Sequence, residues 1–151
     1  MNRSLFAFLP LFAIGCATPT SGEYLFEETA SSSDCPEVEE DTDAEPTENE
    51  PVTVTVSEDK ATVTIFDIDF PLEGTSFEGV VFDETTDYNE SGLDAVVTIY
   101  SDISGTWTSS SKITGTQTFS SSCEGAYCTD MEGMGAAFCS GSSDYEANLQ
   151  E

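Results

Sequence analysis

Histidine is absent from this 151-residue chain, and cationic side chains number three: Arg3, Lys60 and Lys112. Without an imidazole, Ser-His-Asp and Cys-His nucleophilic machinery is excluded, and a zinc site loses its usual nitrogen ligand. Thirty carboxylates against three cations give a formal charge of −27 at pH 7. That excludes nucleic acid as a partner, because phosphate contacts depend on Lys and Arg. It also excludes electrostatic docking onto anionic lipid. No apolar run approaches the ~18 residues that a spanning helix needs. Helical periodicity is missing too; residues 131–138 are the one candidate, and they are rich in glycine. The acidity itself favours solubility with salt-screened self-repulsion, and a cation-binding surface is the alternative.

An export signal is present. Met1-Asn2-Arg3 precedes a ten-residue apolar stretch, residues 5–14, which ends in Gly15-Cys16-Ala17. A short basic start, a short apolar core and small residues at its end describe a secretory signal peptide. The cysteine placed directly after it resembles the lipobox of bacterial lipoproteins. The resemblance implies removal of residues 1–15, a diacylglyceryl thioether on Cys16 and acylation of the new amine. Ala17 in the second mature position further implies sorting to the outer membrane of a gram-negative cell. Ordinary cleavage after Ala17 is the alternative, and it would release a soluble protein.

The cysteine count bears on this choice. Cys16, Cys35, Cys123, Cys128 and Cys139 make an odd number, and an exported chain with an odd cysteine has one thiol to explain. Lipidation of Cys16 leaves four cysteines for two disulfides, which is the expected state outside the cytoplasm. Processing leaves 151 − 15 = 136 residues, enough for one domain, with a formal charge of 2 − 30 = −28.

Beyond the anchor the pattern is that of an all-β protein. A polar tether over 16–21 leads into a β-domain over 22–149, whose first strand covers 22–28. Residues 30–51 hold a run of carboxylates and prolines, which predicts an acidic mobile loop. Val52, Val54 and Val56 then alternate with threonines. After the polar turn 57–60, Ala61, Val63 and Ile65 do the same, a hairpin signature. Further strands are expected over 68–72, 77–82, 93–100, 105–108, 113–121 and 142–149. Short strands with turn signals every eight to twelve residues predict seven to nine antiparallel strands, in an up-and-down barrel or a sandwich. In an even-stranded meander the four downstream cysteines gather at one pole. Of the three pairings, Cys35–Cys139 with Cys123–Cys128 is preferred.

Three features bear on chemistry. Asp87, Asn89 and Ser91, followed by Gly92, mimic the front half of a calcium loop. The twelfth position is Thr98 rather than a bidentate glutamate, so a polar turn explains the same residues. Asp67 and Asp69 fall on one side of the strand expected near 68–72 and could act as a hydrolytic carboxylate pair, although so acidic a chain produces such pairs by chance. Trp107 could stack on a sugar but is better placed in a core, and Tyr88 and Tyr100 are expected at rim and core. The expectation is a lipid-anchored, non-catalytic envelope module without cofactor or metal. It would meet the membrane through its lipid and act on an envelope protein or polysaccharide. A lipocalin-like carrier and a carboxylate hydrolase are the alternatives.

Overall fold

The alternating valine, threonine and aromatic segments form strands of two very different lengths, and this inequality shapes the molecule. The computed structural model describes residues 17–36 and 50–150. Its strands are β1 (Gly22–Ser33), β2 (Val52–Val56), β3 (Thr62–Ile65), β4 (Ile68–Glu73), β5 (Ser76–Asp87), β6 (Val96–Ser109), β7 (Lys112–Glu124) and β8 (Ser140–Leu149). Each pairs antiparallel with the next, and β8 closes on β1, giving an eight-stranded up-and-down barrel. One short helix, α1 (Cys128–Gly133), lies between β7 and β8.

At ~3.4 Å per residue, the 12 to 14 residues of β5 and β6 reach roughly twice as far as the four to six of β2, β3 and β4. The short strands pair with the beginning of β1 and the beginning of β5, through Gly22↔Val54 and Leu72↔Phe77. They therefore wall only one end of the barrel, here called the base. Above them β5, β6, β7, β8 and β1 continue as a five-stranded open sheet, and the front of the barrel is notched.

The core fills the base. Tyr24, Val54, Val63, Ile65, Phe70, Phe77, Ile103, Trp107, Ile113 and Ala147 pack together with little or no exposure. Full burial of such side chains contributes about 1.5–3 kcal/mol each. Trp107 lies edge-on to Phe77, with ring centroids 5.7 Å apart, and its Nε1 donates to the Tyr24 hydroxyl over 3.2 Å. Tyr145 crosses the upper surface of this core and donates its hydroxyl to the Ser104 carbonyl at 2.9 Å. Among the described residues no buried side-chain polar atom lacks a partner.

Several expectations change on this frame. Segments 93–100 and 105–108 belong to the single strand β6. Gly105 faces Gly115 across the ladder; a side chain at Gly105 would collide with the Phe77 ring and the Tyr145 hydroxyl, and one at Gly115 with the Ser104 carbonyl and the Tyr145 ring. Both glycines make room for an aromatic ring. The acidic loop begins later than expected, because β8 offers Ala30 to Ser33 a full set of ladder partners; residues 37–49 of that loop lie outside the described residues. The segment read as a free tether is docked: Ala17 packs on the core, Pro19 is buried and Thr20 accepts from the Tyr24 hydroxyl at 3.0 Å.

Candidate functional site

Cys16 falls outside the described residues. The other four cysteines gather at the end opposite the base, as the meander argument expects. Cys35 bonds to Cys139 and Cys123 to Cys128. The first bond joins the top of β1 to the start of β8 and closes a separation of 104 residues. Asp34, Cys35 and Cys139 are the one cluster of metal-ligating residue types among the described residues. Both sulfurs are consumed by the disulfide, so the cluster presents no thiolate.

The calcium-like loop is accounted for as a turn. The Asp87 carboxylate accepts from the Asn89 backbone N–H at 2.8 Å and from its side-chain amide at 2.7 Å. Residues Asn89–Ser91 form one turn of 3-10 helix, which ends on Gly92 in the left-handed conformation. Both of the bonds to Asp87 are accepted by the same oxygen, Oδ1.

Asp67 and Asp69 do not share a strand face. Ile65 pairs with Ile68, so Phe66 and Asp67 are the two loop residues of a hairpin, with φ of 54° and 62°. A two-residue hairpin of the primed type demands this geometry, which is usually supplied by Asn-Gly. Asp69 lies in β4 and accepts a 2.6 Å hydrogen bond from Thr64. Trp107 is core, at 1% exposure. Tyr100 lies on the outer wall, with Asp102 and Asp83 beside it. Partial burial first, then those two carboxylates, raise its hydroxyl above the ordinary tyrosine value.

Sequence reading missed the surface inside the notch. Register places Phe82, Ser101, Phe119 and Gly141 at one level of four adjacent strands, on the same face as the core residues Ile103 and Ile113. Ile99 lies one step further up on that face, opposite Glu84. In the base this face is buried. In the upper half Phe82, Ile99 and Phe119 remain 42%, 46% and 42% exposed, because no short strand stands opposite them. The trough is floored by Phe26 and Tyr145, whose rings lie 5.3 Å apart. Phe66 stands at its sill, 47% exposed and 5.8 Å from Phe26. A bulky aromatic residue in the left-handed region is a backbone outlier of the kind that collects at binding surfaces.

Two strand edges border the trough. Among the described residues, β5 beyond Phe77 pairs only with β6, and β1 beyond Tyr24 only with β8. Each edge carries an irregularity in its pairing, at Val81 and Thr29, and each carries adjacent carboxylates, Asp83-Glu84 and Glu27-Glu28. These are the usual guards against edge-to-edge aggregation. Both described cations lie at the base: Lys60 in the β2–β3 turn, and Lys112 at the start of β7, 2.9 Å from Glu146.

The outer wall of β6, β7 and β8 is different again. It is a lattice of hydroxyls, including Thr98, Ser104, Thr116, Thr118, Ser140 and Ser142, with a shallow depression of about 640 Å³ between Tyr100 and Asp34. Such a wall is wet and open. No family model, curated protein or solved structure matches this chain.

Proposed function

We propose that this chain is a lipid-anchored envelope protein whose β-domain has a non-catalytic interaction role at the outer membrane. The observation that carries the interaction reading is the notch: a solid barrel base supports an open sheet whose inner apolar face and two strand edges stand without partners among the described residues. Exposed contiguous apolar surface rimmed by polar groups is a common mark of an interaction site. The anchor rests on Cys16 and the apolar stretch before it, and on the even count that remains once Cys16 is set aside.

The packing of the base weighs against a lipocalin-like carrier. A carrier needs an interior wider than its side chains fill, whereas Trp107, Tyr24, Phe70 and Ile65 occupy the axis of the closed half. The separation of Asp67 from the face of Asp69 weighs against a carboxylate hydrolase.

The test is made in cells. Labelled fatty acid should enter the wild-type chain and not Cys16→Ser, and the substituted chain should leave the membrane fraction. Cross-linking from the native envelope should then recover one reproducible partner. An unlabelled wild-type chain that appears wholly in the medium would overturn the anchor, and recovery of no partner would overturn the interaction role.

A further inference from the structure

We infer that the free edge of β5, Glu78 to Asp87, is a strand-addition site for an extended cationic segment of another protein. This inference rests on the interaction reading above and names the partner's chemistry.

Three observations converge on this edge. First, its backbone is unpaired on one side among the described residues, and main-chain groups of this kind accept a further strand. Second, an added strand would project alternate side chains into the trough, where Phe82, Ile99 and Phe119 are already exposed on the inner face. The strand would bury these side chains, which β2, β3 and β4 are too short to cover. Third, the charge is one-sided. Glu78, Asp83, Glu84 and Asp87 lie along the edge, and both described cations are at the opposite end of the barrel. An alternating basic and apolar segment would meet Glu78, Asp83 and Asp87 on the outer side and Phe82 on the trough side, where Glu84 adds a further carboxylate.

The same charges exclude two other occupants. A second copy brings its own carboxylates to the edge and is repelled, which is how acidic edges prevent self-association. The connecting residues 37–49 carry Glu37, Glu39, Glu40, Asp41, Asp43, Glu45 and Glu48 with no basic residue, so they are equally mismatched. The β1 edge is the poorer acceptor: above Thr29 it offers only Ala30, three serines and Asp34 before the Cys35–Cys139 bond.

The protein purified from its native envelope in detergent is titrated with a synthetic peptide of about ten residues, the length of the free edge, alternating Lys and Val. A second peptide of the same sequence carries N-methyl groups on alternate amides, which keeps charge and side chains but removes strand pairing. Binding of the first peptide should protect β5 amides from hydrogen exchange. The N-methylated peptide should bind roughly tenfold more weakly or worse, and so should the first peptide to Asp83→Lys/Glu84→Lys. Glu23→Lys/Glu58→Lys, at the base, is the charge-matched control and should leave affinity unchanged.

Equal binding of both peptides, an equal loss from Glu23→Lys/Glu58→Lys, protection confined to β1 or the outer wall, or no binding at low salt would each overturn the inference. Capture of the same envelope partner by wild type and Asp83→Lys/Glu84→Lys alike would sink the edge site while sparing the interaction role.

Discussion

The base and the upper half of this barrel share the same strands but meet different conditions. In the base, β6 and β7 face β2, β3 and β4 across a filled interior, and their inward residues Ile103, Trp107 and Ile113 are sealed. A few residues further along the same strands, the equivalent inward positions hold Ile99 and Phe119, nearly half exposed. Apolar alternation therefore produces a core only where an opposing wall exists; elsewhere the same pattern produces a surface available to a partner. The two halves are also held by different means. Burial and the Tyr24–Trp107 hydrogen bond hold the base, whereas ladder bonds and two disulfides hold the upper sheet.

That contrast can be broken in order of expected effect. Cys35→Ser/Cys139→Ser removes the bond that ties β1 to β8 at the top. Chain-entropy arguments for a loop of ~100 residues put the loss at up to about 5 kcal/mol in denaturant unfolding. Hydrogen exchange in this variant should rise first in the upper parts of β1 and β8. Trp107→Ala should cost about 4 kcal/mol and melt the whole domain, whereas Phe119→Ala, on the same face above, should cost less than about 1 kcal/mol. Similar losses for the two would erase the distinction between the halves.

Alkali should act on the base. Burial raises the Tyr145 hydroxyl well above its ordinary value, so the folded state favours the neutral form. Its contribution is complete below the unfolded tyrosine value near 10 and is lost as pH rises past it. About 1 kcal/mol should be lost by pH 11, and Tyr145→Phe should flatten that limb of the stability curve. Asp67→Gly sharpens the comparison at the sill. Glycine fits the left-handed backbone there, so the variant should gain about 0.5 kcal/mol in thermal unfolding.

Strand identity was largely legible, because alternation with period two is a local signal: Val52, Val54 and Val56 announce β2 directly. The pole at which the cysteines gather was legible as well, since it follows from strand parity alone. Strand length was not. Ala30 to Ser33 read as loop by composition, and only the presence of β8 beside them makes them strand. The 101–104 link between two expected strands becomes part of β6 only because β5 and β7 pair with it on both sides. The trough was illegible for the same reason. Phe82, Ile99 and Phe119 look like core until the brevity of β2, β3 and β4 leaves them without an opposite wall. That brevity was visible in the spacing of the turns, and comparing run lengths around the expected barrel would have exposed it.

Residues 17–21 are bound to the base through Ala17, Pro19, Thr20 and Ser21, with the Ser21 hydroxyl accepting from the Val56 backbone N–H at 2.8 Å. The first described residue, Ala17, already packs on the core, so the described chain is seated on the barrel floor from its start. Under the lipid-anchored reading proposed above, the base with its two described lysines would face the bilayer and the notch would open toward the far side.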